Sequence, residues 1–77
     1  MIKSDAAIAA EILRKMQAGV RDAAGTEVVV RAHPETAHHL ETDRRDAVDR
    51  FQAMIGRKIV VQGVPSYHRE QYDVTFR

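Results

Sequence analysis

The sequence predicts an α+β fold: an α/β two-layer sandwich with two helices packed on one face of a three-stranded mixed sheet. Three observations lead there. An apolar stripe of helical period opens the chain, a β-branched run follows it, and two short strand-like runs close the chain after a second helical stretch. The order is helix, strand, helix, strand, strand, with no internal repeat, low-complexity tract or linker, so residues 1–77 read as a single small domain.

Each element has a local cause. Ser4 caps a helix whose first residue, Asp5, suits the positive end of the helix dipole. Ile8, Ala9, Ile12, Leu13, Met16, Val20, Ala23 and Ala24 then carry the stripe, which places the first helix at about residues 5–24. Gly19 falls inside it at a cost of about 1 kcal/mol relative to Ala, and Gly25 stands where a left-handed C-terminal residue is wanted. "EVVVRA" is a strand over 27–32, with Val28, Val30 and Ala32 on one face and Val29 on the other. Pro34 starts the second helix. Ala37 and Leu40 mark its first turns, and Asp43 with Asp46 resembles a capping pair that restarts or bends it. Ala47, Val48, Phe51, Met54 and Ile55 continue at helical spacing until Gly56 ends the run.

"KIVVQGV", Lys58 to Val64, is the second strand, "PSYHREQ" a loop, and "YDVTF" a half-buried strand with Tyr72, Val74 and Phe76 on one face. The last two strands are expected to pair as an antiparallel hairpin. If the first two strands lie parallel in the same sheet, the helix between them crosses over right-handedly. The sheet face away from the helices keeps Val29 and whichever of Val60 or Val61 points outward. Those three valines are the candidate interface residues.

Size and charge limit the function classes. A chain of 77 residues buries only roughly 60 to 65% of the surface that its unfolded form exposes, so packing or a partner must support it. It contains no cysteine, hence no disulfide and no thiolate ligand, which fits a reducing cytoplasm. Lys plus Arg number 12 against 11 for Asp plus Glu, a net charge of +1, too balanced for a dedicated polyanion binder. No apolar run approaches the roughly 20 residues of a membrane span, and "MIKSDAAIAAEIL" lacks the form of a secretory signal. Both ends read as those of a domain cut from a larger protein.

The stretch "RAHPETAHHLETDRRD" holds three of the four histidines and invites a metal reading. Spacing argues against it. His33 and His38 are about 140° apart around a helix, and Pro34 leaves His33 outside the helix as its cap. The neighbours His38 and His39 diverge by about 100°. His68 lies in a distant loop. No metal ligand and no catalytic residue is therefore assigned. Glu35, Glu41, Asp43, Asp46 and Asp49 interleave with Arg44, Arg45 and Arg50 as a solvated ion-pair face. Ser4 and Ser66 lack a glycine-rich elbow, and the glycines form no phosphate-cradling loop. An RNA-binding KH module grips backbone with a Gly-x-x-Gly loop between its helices, where this chain has "LETD". An RRM needs aromatic residues on its central strands, where this chain has aliphatics. Arg57, Lys58 and Arg69 remain candidate RNA contacts.

Read in order, "IKSDAAIAAEILRKM", "VVVRAHPETAHHLETDRRDAVDRF" and "IGRKIVVQGVPSYHREQYDV" resemble the ribonuclease E/G family. The likeness is to the small C-terminal domain of that family's catalytic region, and it runs from Ile2 to about Val74. Its pieces are Ser4 with "EILRKM", the valine strand leading to His33-Pro34-Glu35, Leu40 ahead of Arg45, and Glu70-Gln71-Tyr72. The sequence departs from the family at His38 and His39, where small or aromatic residues are usual, and at Glu41, where leucine is common. The resemblance implies a parent enzyme, a magnesium-dependent endoribonuclease cutting single-stranded RNA in RNA maturation and messenger decay. The family's metal-binding aspartates, S1-type domain, 5′-monophosphate sensor and zinc-linking cysteine pair all precede this region. Magnesium and zinc are thus expected only upstream in the parent, and no cofactor in this chain. The expected role is a non-catalytic, cytoplasmic domain for assembly of the catalytic homo-oligomer, partnered by the rest of the parent and reaching RNA through it. The alternative is an autonomous RNA-binding module.

Overall fold

The computed structural model describes residues 4–20, 25 and 27–77. Among them, three helices and three strands follow one another as α1 (Asp5–Val20), β1 (Glu27–Ala32), α2 (Pro34–Glu41), α3 (Arg45–Ile55), β2 (Lys58–Gly63) and β3 (Tyr72–Phe76). The predicted class holds, and the strand bounds agree to within a residue. Val64 closes the second strand only in that its N–H still donates to the Ala32 carbonyl at 2.8 Å.

The helix starts are those the sequence indicates. The Ser4 hydroxyl accepts from the Ala7 N–H at 3.2 Å, satisfying a donor that the first turn leaves without a partner. His33 caps α2 through Nδ1, which accepts the Glu35 N–H at 3.1 Å, and Pro34 follows at the first helical position. Gly56 ends α3 at φ 66°, a left-handed conformation that glycine adopts without steric cost. The expected continuation of α1 through Ala23 and Ala24 lies outside the described residues. Gly25 has φ 127°, and a Cβ there would run into the Arg77 carbonyl. Glycine there leaves room for the Arg77 backbone and takes the positive φ without steric cost, while the helix end it is expected to cap lies outside the described residues.

The second helix differs from expectation. It is two helices, because the Thr42 hydroxyl and Thr42 N–H both donate to the His38 carbonyl, at 2.8 and 3.0 Å, and close α2. Asp43 is not the cap of a restarted helix. Arg44 occupies that position without a side-chain cap bond, while Asp43 turns back to His39.

The sheet also corrects an expectation. The last two strands do not form a hairpin: the order is β2-β1-β3, with β2 parallel and β3 antiparallel to β1. The reason is visible in β1 itself. Val28, Val29 and Val30 are at most 2% exposed, and a strand apolar on both faces gains most from the centre, whereas the half-polar β2 and β3 tolerate an edge. Residues 64–71 make up a connection longer than a hairpin needs, which carries the chain from one edge of the sheet to the other.

The core lies between the sheet and the helices. Val28, Val30 and Ala32 of β1 and Ile59 of β2 meet Ile8, Ala9, Ile12 and Met16 of α1, Leu40 of α2, and Val48 and Phe51 of α3. Each fully buried large side chain among them contributes about 1.5–3 kcal/mol relative to exposure. Thr36 is the buried polar residue here, and its hydroxyl donates to Asp5 Oδ1 at 3.4 Å, tying α2 to the start of α1.

Candidate functional site

The histidine stretch does not converge. His33 is occupied as a helix cap, and His38 is exposed. His39 Nδ1 lies 3.0 Å from Asp43, one helical turn on, and its Nε2 is buried without a hydrogen-bond partner. With Nδ1–H donating to the carboxylate, Nε2 is an acceptor that no donor among the described residues meets. Such a pair orients an imidazole. Among the described residues, no three His, Asp or Glu side chains come together as a metal would require.

The three basic candidates separate. Arg57 is half-buried at the α3–β2 turn, and Lys58 begins β2 beside Glu27. Arg69 sits on the 64–71 connection, where its guanidinium meets both carboxylate oxygens of Asp5 at 3.1 and 3.2 Å. Arg69 precedes Tyr72, which pairs with Ala32, whereas Lys58 pairs with Glu27 at the opposite end of β1. The Asp5, Arg69 and Thr36 group fastens the loop to α1 and α2. The sequence does not announce it, because Asp5 reads there only as a favourable first-turn charge.

The sheet face away from the helices is more polar than its valines suggest. By register it carries Glu27, Val29 and Arg31 on β1, Lys58, Val60 and Gln62 on β2, and Asp73, Thr75 and Arg77 on and just after β3. Val60 therefore shares the face of Val29, while Val61 turns inward and packs against the core. Val29 is 2% exposed, so this face offers little apolar area. Polar links cross it instead. Arg31 Nε donates to Gln62 at 3.2 Å, Arg77 approaches Glu27 at 3.7 Å, and the Tyr67 hydroxyl donates to Asp73. The Asp73 carboxylate, by that hydrogen bond first and with burial second, holds the Tyr67 phenol above its ordinary value.

The two sheet edges are unlike. At β2, the Ile59 N–H points away from β1 and donates to Gln52 Oε1 of α3 at 2.9 Å. At β3, Glu27 and Arg77 exchange two backbone hydrogen bonds, at 3.2 and 2.9 Å. By the alternation of an antiparallel ladder, Thr75 and Asp73 also face β1, and the backbone groups of Tyr72, Val74 and Phe76 face outward. Among the described residues, no strand lies on that side. This edge is the site that reasoning on the sequence missed, since it exists only once β3 is placed outside β1.

Comparison with known families decides the affiliation: the family described as RNase E/G, thioredoxin-like domain, matches residues 1–76. The chain belongs to the RNase E/G family. Comparison with curated proteins finds no match. The match describes an RNase E/G domain of thioredoxin-like type, but dithiol redox chemistry has no residue to use here, because the sequence contains no cysteine. What this RNase E/G domain presents instead is surface. Besides the β3 edge, an apolar groove runs between α1 and α3, lined by Leu13, Val20, Phe51, Met54 and Ile55, with Met54 69% exposed at its rim. No helix among the described residues is long and apolar enough to cross a membrane.

Proposed function

We propose that this chain is a non-catalytic assembly domain of an RNase E/G family endoribonuclease acting in cytoplasmic RNA processing and decay. The observation that carries this reading is the open backbone edge of β3, in a domain whose histidines and carboxylates do not converge. An unpaired strand edge is a template for another chain, and proteins normally blunt it with lysine, proline or a covering element. β3 contains neither lysine nor proline, and among the described residues no further strand pairs with it. In this reading the magnesium and the cleavage chemistry belong to the parent enzyme, and this domain contributes contacts that hold its copies together.

The test is mass by light scattering, measured on this chain over a range of concentrations and on the parent ribonuclease with and without the domain. Self-association of the chain and a smaller assembly for the shortened parent are the expected results. A chain that stays monomeric throughout, together with an unchanged mass for the shortened parent, would sink the reading. RNA cleavage by the chain with added magnesium should be absent. The competing reading, an RNA-binding module using Arg57, Lys58 and Arg69, predicts salt-dependent binding of single-stranded RNA with spectral shifts at those residues.

A further inference from the structure

We propose that the β3 edge pairs antiparallel with β3 of a second copy of this chain, about a two-fold axis at Thr75, fusing the two sheets into one. The inference rests on the assembly reading above and deepens it by naming the partner and the register.

The argument is charge and polarity matching along the strand. An antiparallel pair centred on Thr75 sets Thr75 opposite Thr75, Val74 opposite Phe76, and Asp73 opposite Arg77, each of the last two occurring twice by symmetry. Val74 and Phe76 are the residues whose N–H and C=O groups face the open side, so they form the hydrogen-bonded pairs that the ladder needs. On the face toward the helices, the row across four strands becomes Val28, Phe76, Val74, Val30, apolar throughout. On the opposite face it becomes Glu27, Arg77, Asp73, Arg31, alternating in sign at every step. Thr75 meets its own copy between the two charged rows, and threonine pairs and opposite charges are both favourable across strands. The neighbouring register, centred on Val74, places Asp73 opposite Thr75 and Arg77 opposite Gln71, so neither charge meets its opposite. Charge complementarity therefore selects Thr75.

The participating groups are available. Tyr67 engages Oδ2 of Asp73, and among the described residues Arg77 pairs with Glu27 at 3.7 Å, with its side chain 57% exposed. The flank of α1 beside this edge carries Glu11, Arg14, Lys15 and Ala18 next to Tyr72, both signs of charge around a small residue. A copy brought in by the two-fold meets no single-sign barrier there.

The absence of cysteine makes the test clean. Across the proposed axis, Thr75 and its copy form a non-hydrogen-bonded pair with Cα atoms about 4.5 Å apart, inside the roughly 4.4–6.8 Å that a disulfide accepts. Thr75→Cys under mild oxidation should give a covalent dimer, while Lys58→Cys, exposed at the other edge, should not. Arg77→Asp, which sets like charges opposite each other twice, should move the dimerisation midpoint on the order of tenfold or more to higher concentration. Chemical denaturation of each variant checks that the monomer remains folded. Self-association without cross-linking at Thr75→Cys and without response to Arg77→Asp overturns edge pairing while the assembly reading stands. Cross-linking at Val74→Cys in place of Thr75→Cys overturns the register. A monomer at every concentration, with no cross-link, overturns both.

Discussion

The two edges of this sheet face the same problem and meet it differently. At β2, a helix arrives beside the strand and lends it a side chain: Gln52 of α3 takes the Ile59 N–H at 2.9 Å, and Lys58 and Gln62 give the strand polar residues. At β3, the backbone of Tyr72, Val74 and Phe76 meets no strand of the described residues on its outer side. The difference follows from the break after α2. Because Thr42 closes that helix, α3 begins as a separate element that lends Gln52 to β2, whereas α1 lies beside β3 at the Tyr72 and Phe76 side chains. An edge that the chain insulates with its own helix is structural. One left bare, with matched charges along it, is where a partner strand adds hydrogen bonds instead of competing for them.

The strongest way to break this contrast is to loosen the helix that insulates β2. Phe51 is 5% exposed in the core, on the turn of α3 adjoining Gln52. Phe51→Ala should lower stability to chemical denaturation by about 3 kcal/mol or more. It should also accelerate hydrogen exchange at Ile59 beyond what global destabilisation explains. Gln52→Leu acts on the edge alone. It removes the acceptor of the Ile59 N–H and should cost about 1–2 kcal/mol, the range for a partly buried donor left without a partner. It also makes the β2 edge resemble that of β3. If Gln52→Leu raises self-association as much as it lowers stability, the distinction between the edges reduces to that one side chain. Asp5→Ala should cost about 1 kcal/mol, mostly from the stranded Thr36 hydroxyl. The Asp5–Arg69 pair is partly exposed, so salt screens it and its share is small. Its clearest readout is faster exchange in residues 64–71, the segment that joins one edge to the other.

Much of the local structure was legible in the sequence, and the topology was not. Ser4, His33-Pro34 and Gly56 mark helix ends through their own side chains or backbone, so neighbouring residues suffice to read them. The strand order depends on which strand gains most from two-sided burial, a comparison across the whole chain. The signal is present in the unbroken Val28-Val29-Val30 run, whereas proximity in sequence alone favours pairing the closing strands. The consequence for the site was direct. With a hairpin, β3 would have had β2 as its neighbour, and the edge that now stands open would not have been recognised. Arg69 shows the same limit: its partner Asp5 is 64 residues away, and nothing local announces that the guanidinium is engaged. The alternation of Glu27, Arg77, Asp73 and Arg31 likewise appears only after the register is known.

The smallest expected effect reports on the open edge without disturbing the fold. Tyr67 donates to Asp73 on the polar face of β3, and its phenol titrates above the ordinary 10.0 because the neighbouring carboxylate stabilises the protonated form. The folded-state value is the raised one, so any stability it contributes is fully present below pH 10 and is lost as pH rises through the folded value. Ultraviolet titration of the phenolate in a Tyr72→Phe background, which leaves Tyr67 as the single tyrosine, should show the elevated transition. Asp73→Asn, which keeps an acceptor but removes the charge, should bring it back toward 10.0. An unchanged titration in Asp73→Asn would mean that burial, not the carboxylate, sets the value. Edge pairing would also bring Arg77 of a second copy to Asp73, and a cation there favours the phenolate. The elevation should then shrink as concentration rises, whereas a β3 edge that meets no partner leaves it constant.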